Sequence, residues 1–505
     1  MHIRNAVIDI ADRFPDKTCL TCRDTAITFR QLKERTFRLC YTLNKLQVQR
    51  GDKILCYLPN TLEFVEIYLA SLSLGIICVP VDPRIIGEEL ENIINDSDAQ
   101  YIFTSGALAS HIRNVKERLK HIEKLIFIDD AGDDDDISYK GLIDTTDEFI
   151  PDTLLDEEDE SLFLYTSGST GKPKGVILQY RHLDLFPESL QAIIPEYTTP
   201  DAVIACLLPM SHITGPIIVN TMLKIGCSVV IVDNLKPDYV WKIMERHRVT
   251  LFNNVPPIMQ LLLSDPELNT YDLSSLKYIS LMGMSVPKSL IEQCQKMLPH
   301  ITVIQGYGLT ETSPLLTLVP IEYASKKIGS VGIPVPGVKL KILDEFDQEL
   351  PTGSPGEIAV KGPQVMKGYY KQPIETNMCI RNGWFYTGDL GKIDEDGFVY
   401  HLGRANDMVI TGGLIVYPAE VEDILIRHRD IMEAAVIGLP DPKRGEVLAT
   451  FIVKRPGSNL KYIDIIKYCR VSMADYKVPR MIMFVDALPM TGSGKVNKNL
   501  LLTTE

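Results

Sequence analysis

Short apolar runs alternate with segments of helical apolar spacing along most of the chain, and this rhythm limits the fold more than any other feature. Residues 53–58 read as a strand, 62–75 as a helix and 76–81 as a second strand. Ahead of them, 26–29 is strand-like and 32–43 has helical spacing. The strand signature returns at 100–104, 125–128, 202–207, 228–232, 251–253 and 278–281. Strands separated by helices predict a parallel sheet with helices against its faces. From about Gly329 the texture changes to glycine, proline and short β-rich runs at 338–343, 356–361 and 397–402, which predicts an antiparallel β subdomain. After Arg404, helices at 419–427 and 463–472 and strands at 432–438 and 448–453 outline a compact α+β lobe. The expectation is therefore an α/β fold. A large N-terminal domain spans 1–403, with its β-rich subdomain at about 329–403, and a small C-terminal domain spans 404–505.

At 505 residues the chain can build more than one substantial core. A net charge of −14 with no basic block argues against nucleic acid as a partner. The acidic clusters at 129–136 and 156–160 read as solvated loops, because consecutive carboxylates repel and lack the glycine-spaced pattern of a calcium loop. Of the ten cysteines only Cys19 and Cys22 have metal or redox spacing, and no second pair completes a zinc site. Reduced thiols and the lack of a secretory leader point to the cytoplasm. The longest apolar stretch, 69–81, is broken by Ser71, Ser73, Gly75 and Pro80 and is too short to span a bilayer.

Chemistry concentrates first in the stretch from Tyr165 to Gly175. The apolar run 162–165 feeds into Thr166, Ser167, Gly168, Ser169, Thr170, Gly171, Lys172, Pro173 and Lys174, and 176–178 resumes the apolar pattern. The simplest reading is a hairpin loop between two strands. Glycines let backbone N–H groups turn inward, hydroxyls add donors and two lysines supply charge, which is what gripping a polyphosphate requires. It lacks the first glycine of a Walker A loop. A plain Gly/Ser turn is the competing reading.

This stretch resembles the phosphate-binding loop of the adenylate-forming superfamily of acyl-CoA synthetases, 4-coumarate–CoA ligase, luciferase and peptide-synthetase adenylation domains. Further motifs follow in the family's order: 306–312 (Gly-Tyr-Gly-Leu-Thr-Glu-Thr), 386–389 (Tyr-Thr-Gly-Asp), Gly403-Arg404 and 492–495 (Gly-Ser-Gly-Lys). The resemblance covers nearly the whole chain. It implies that Thr310 contacts the α-phosphate, that Glu311 holds Mg²⁺ and that Tyr307 meets the adenine face. Asp389, at the tip of an aromatic strand, would take the ribose hydroxyls, and Arg404 would reach ribose and phosphates. Lys495, on a glycine-flanked loop, would bridge the substrate carboxylate and the phosphate during adenylation.

The C-terminal lobe carries a second set. The stretch 407–413, followed by 417–422, resembles the family segment used in thioester formation, where the mobile domain has turned. Gly412 and Gly413 would then line the pantetheine tunnel, with Lys443 and Arg444 as candidates for the CoA phosphates. Asn406 stands at the family's pivot, where Asp or Lys is usual, and Asn tolerates unusual φ/ψ. On the substrate side, His212 resembles the residue that gates the acyl site. A satisfied structural histidine is the alternative. The acyl wall would come from Asn253, Asn254 and Val255, from Met282, Gly283 and Met284, and from Gly306. Its largely apolar character implies a fatty or aryl acid.

Together these readings predict an ATP-dependent ligase that converts a carboxylic acid to acyl-AMP and then to a CoA thioester, using ATP, Mg²⁺ and CoA. Two alternatives stay open: an acyl-AMP-forming enzyme that loads a carrier protein, and a non-catalytic nucleotide-binding protein. Nothing in the sequence sets the oligomeric state.

Overall fold

In a computed structural model, residues 2–129, 136–152, 154–167, 173–284, 286–490 and 496–501 are described. The alternating pattern resolves into two large sheets rather than one. The first has eight strands in the order Gly368–Tyr369, Pro173–Gln179, Glu160–Ser167, Ile77–Val81, Lys53–Tyr57, Tyr101–Thr104, Lys124–Phe127 and Ile137–Ser138. From Glu160–Ser167 onward its neighbours run parallel. The second has nine strands. Thr302–Tyr307, Tyr278–Leu281, Leu251–Asn254, Val203–Cys206, Ser228–Ile231 and Thr18–Cys22 are parallel neighbours, and short antiparallel strands close both ends.

Helices fill the space between these sheets. Thr28 starts the helix Phe29–Lys45 with a capping box to Gln31, and Thr61 caps Leu62–Leu74 at the Phe64 N–H. Every residue of Leu62–Leu74 except Glu63 is buried, which explains its all-round apolarity: it runs through the core between the sheets. Glu66 on this helix is fully buried, and Arg35 and the Tyr139 hydroxyl both bond its carboxylate. A buried carboxylate is tolerable only with such partners.

The predicted β subdomain is present as an antiparallel sheet of Lys339–Leu343, Gly356–Lys361, Trp384–Ile393 and Ile380–Arg381, with Val399–Arg404 paired to Trp384–Ile393. The last lobe has its own sheet, in which Gly445–Lys454 pairs Ile431–Asp441, Val409–Thr411 and Met481–Val485. The helices Pro418–Ile426 and Tyr462–Ser472 pack on it around a separate core. Cys19 and Cys22 lie in the strand Thr18–Cys22 as free thiols, and Cys19 is buried with its thiol donating to the Ile27 carbonyl. Among the described residues no cluster of metal-ligating side chains occurs, and no helix is long and apolar enough to cross a membrane.

Candidate active site

The strands Glu160–Ser167 and Pro173–Gln179 form an antiparallel hairpin with Thr166 opposite Lys174 and Ser167 opposite Pro173. The predicted strand–loop–strand geometry therefore holds to the edge of the loop. Gly168, Ser169, Thr170, Gly171 and Lys172 lie outside the described residues, as does Lys495.

At the base of the hairpin, Lys174 Nζ sits 5.3 Å over the Tyr369 ring, and the Tyr369 hydroxyl donates to Glu311 Oε1 at 3.0 Å. Backbone bonds hold the three segments together: Met366 N–H to the Glu311 carbonyl and Tyr370 N–H to the Gly175 carbonyl. Thr310 and Glu311 open the single turn Thr310–Thr312, which the Thr312 hydroxyl steadies by accepting from the Leu309 N–H. Gly308 precedes it where no side chain fits, since a Cβ would lie 1.6 Å from the Pro314 carbonyl oxygen. The hairpin expected to grip phosphate and the carboxylate expected to hold Mg²⁺ are thus neighbours through Tyr369. Sequence reading missed this tyrosine, which sits in an unremarkable Gly-Tyr-Tyr run. One carboxylate suits Mg²⁺, which binds through one or two carboxylates together with substrate phosphates.

Asp389 and Arg404 face each other across the strand pair Trp384–Ile393 and Val399–Arg404. Arg404 Nε lies 2.9 Å from Asp389 Oδ1, and the Tyr307 hydroxyl donates to Oδ2 at 2.7 Å. Arg404 also donates to the Thr387 carbonyl at 3.0 Å. Asp389 is 2% exposed and lies in the interior of its strand, not at the tip as the sequence suggested. Burial pushes its carboxyl up. The His401 ring 3.6 Å away, the Arg404 charge and the Tyr307 hydroxyl outweigh that, so it titrates below the usual carboxylate range. The Tyr307 ring lies 5.4 Å from His401, with its phenol raised by burial and by the Asp389 charge. His401 had no sequence signal, because its part comes entirely from cross-strand placement.

His212 is satisfied and also near an edge. Its Nε2 lies 3.1 Å from Asp82 Oδ2, and Arg84 grips the same carboxylate through Nε and Nη2. Asn60 pins the adjoining backbone at Leu208 and Met210. The His212 side chain is held by the Asp82 carboxylate and stays 31% exposed. Asn253 accepts from Tyr197 at 3.5 Å. Asn254 instead turns to Met259 on the other face of its sheet, which removes it from the predicted wall. Gly283 sits beside Val255, and a Cβ on Gly306 would meet Met282 Cε at 2.9 Å. Met284 is half-buried.

The lobe set is assembled separately. Gly412 and Gly413, with φ of +59° and +80°, form the exposed tip between Val409–Thr411 and Leu414–Val416. The Gly412 N–H donates to the Arg444 carbonyl, and the Lys443 and Arg444 N–H groups both donate to Asp441. Asn406 lies in the turn Ala405–Asp407 directly after Arg404. No described contact joins the Gly412–Arg444 group to the Tyr307–Asp389–Arg404 group.

An α/β body with a polar hairpin beside an acidic turn, a buried Asp–Tyr pair met by a half-exposed arginine and a small C-terminal lobe defines an adenylate-forming architecture. The chain belongs to the AMP-binding enzyme family: the family model matches residues 8–370, and that of the AMP-binding enzyme C-terminal domain matches 420–495. It is 32% identical to a feruloyl-CoA synthase of Amycolatopsis sp., over 96% of this chain and 95% of that protein. It is 31% identical to a long-chain-fatty-acid–CoA ligase of Bacillus subtilis (strain 168), over 100% and 94%. The solved anthranilate CoA ligase AuaEII in complex with anthranoyl-AMP superposes with a TM-score of 0.92 at 25% identity, covering 99% of this chain and 96% of that one.

Proposed function

We propose that the chain is an AMP-forming acid–CoA ligase. The acid's carboxylate attacks the α-phosphorus of ATP, pyrophosphate leaves, and the thiol of CoA then displaces AMP from the acyl-AMP. Bringing two anions together is mainly an electrostatic and positional problem. The Lys174–Tyr369–Glu311 chain carries the reading, because it joins the base of a phosphate-gripping hairpin to a carboxylate suited to a divalent ion. Mg²⁺ held by Glu311 would neutralise charge on the phosphate oxygens. Thr166, Ser167 and the loop they open hold the phosphates, and Thr310 meets the α-phosphate. Asp389 accepts from the ribose hydroxyls, with Arg404 beside it. The small lobe, which we begin at residue 404, pivots at Asn406. It delivers Lys495 for the first step and the Gly412–Gly413 tip, with Lys443 and Arg444, for the second.

Pyrophosphate release across short, medium, long-chain and aryl acids, with and without CoA, tests this. Turnover sustained only with CoA is expected. A CoA-independent burst stalling at one acyl-AMP per site would point to a carrier protein as acceptor, and silence across the panel would overturn the ligase reading.

A further inference from the structure

The strands Leu251–Asn254, Tyr278–Leu281 and Thr302–Tyr307 run parallel, with Asn253 beside Ser280 and Ser280 beside Ile304. Side chains two apart share a face. Asn253, Tyr278, Ser280 and Gly306 therefore stand on the same side, and Met282 follows just beyond the strand. Contacts fix which side this is. Tyr197 meets Asn253 through its hydroxyl and the Tyr278 ring at 5.5 Å between centroids. The opposite side carries Phe252, Ile279 and Val303, which pack into an apolar cluster, with Asn254 against Met259 at its edge. The Asn253 face is mixed: a polar row of Asn253 and Ser280 lies among the buried Leu251 and Ile304, and the candidate acyl residues Asn253, Met282 and Gly306 share that side.

Within that row, Ser280 is 2% exposed, and its Oγ has no hydrogen-bond partner among the described residues. A buried hydroxyl normally has one. Its neighbour Asn253 makes a single long contact, 3.5 Å to Tyr197, and no described group accepts from its amide nitrogen. A surface meant only for a saturated chain has no use for a buried hydroxyl left without a partner, since its desolvation is uncompensated.

We propose that this face binds an acid whose acyl group carries a hydrogen-bonding substituent, a hydroxyl, amino or keto group, which pairs with Ser280 Oγ and the Asn253 amide. This rests on the ligase reading and narrows it: a plain fatty acid leaves the same two groups unpaired. Ser280 and Asn253 are then specificity residues for the acyl group, while the carboxylate end reacts near Gly306.

The test compares kcat/KM for pyrophosphate release, with CoA present, between unsubstituted and substituted partners. The probes are cinnamate against its 2-, 3- and 4-hydroxy forms, benzoate against 2-aminobenzoate, and octanoate against 8-hydroxyoctanoate. The best substituted acid should exceed its parent by roughly tenfold or more. Ser280→Ala should pull that ratio toward one, and Asn253→Leu should do so independently. Because the ratio is taken within one variant, lost folding or general activity does not mimic the effect. Parent acids used as well as their substituted partners, or a ratio unmoved in both variants, would overturn the proposal while leaving the ligase reading standing. No pyrophosphate from any acid would overturn both.

Discussion

Asp389 is held beneath a hydroxyl and a guanidinium, whereas Gly413, across the Asn406 turn, stands at an exposed hairpin tip with open space around it. Both belong to motifs of similar clarity in the sequence. The first sits where adjoining strands fix every partner, so its geometry exists before any ligand arrives. In the proposed mechanism the second acts only after the lobe carries it to the nucleotide site. Preorganised electrostatics suit nucleotide binding, and delivery by domain motion suits a second step that must not compete with the first.

The sharpest way to break this contrast is to separate the two steps. Lys495→Ala should cut acyl-AMP formation by about 10³-fold or more while sparing most thioester formation from supplied acyl-AMP. Equal loss in both would mean one fixed site serves both steps. Asp389→Ala probes the preorganised side. It removes the carboxylate that accepts from the Tyr307 hydroxyl and neutralises Arg404, so we expect ATP to bind roughly 10- to 100-fold more weakly. Because Arg404 is half exposed, the accompanying destabilisation should be about 1–3 kcal/mol. Calorimetric titration with ATP and thermal melting read the two effects separately; unchanged ATP affinity would remove Asp389 from the ribose site.

The rigid side carries a further signature in His182, which the sequence did not single out. The Gln179 N–H donates to its Nδ1 at 2.8 Å, so Nε2 bears the hydrogen and donates to the Val365 carbonyl at 3.1 Å. This neutral ring ties the end of the Glu160–Gln179 hairpin to the segment leading to Tyr369. Burial, reinforced by the Arg181 charge, lowers its pKa from 6.5 to about 4. The folded pKa lies below the unfolded one, so the stabilisation is complete above about pH 6.5 and is lost as pH falls toward 4. The loss amounts to at most about 3 kcal/mol. Urea midpoints at pH 7.5, 6, 5 and 4.5 should fall accordingly, and His182→Gln should flatten the part of that slope due to this ring. An unchanged slope in the variant would show that other groups drive the acid sensitivity.

How far the sequence reached follows the same division between local and assembled structure. The hairpin around 168–172, the antiparallel β subdomain and the helices and strands of the last lobe were legible, because periodicity and turn chemistry are local. Membership of two sheets was not. Thr18–Cys22 pairs with Ser228–Ile231, across some two hundred residues, and no pattern in either strand names its partner. Tyr369, His401, Asp82 and Ser280 were missed for a related reason: each matters through a neighbour brought by tertiary packing. Asn254 was misplaced because adjacent strand residues face opposite ways, and the strand's phase relative to the acyl side was not in the sequence.

On the mobile side, Gly413→Val forces a branched side chain into φ +80° and should slow the thioester step by roughly tenfold while leaving acyl-AMP formation near its normal rate. Stopped assays that follow acyl-AMP and thioester separately would show the split. Equal slowing of both would tie the tip to the first step.

The smallest effect belongs to the contact between lobes. The helix Lys288–Met297 has no side-chain cap of its own, and Asp423 of the small lobe accepts from the Lys288 N–H at 3.2 Å. A carboxylate at a helix N-terminus is worth about 0.3–1 kcal/mol at an exposed site. Asp423 therefore favours the lobe placement seen here, with the glycine tip in solvent, by at most a few-fold. Asp423→Ala should shift the balance by about two- to fivefold, slowing acyl-AMP formation and not the thioester step. That difference should shrink as salt screens the interaction. A salt-independent loss common to both steps would mean that Asp423 supports the fold of the lobe and does not set its placement.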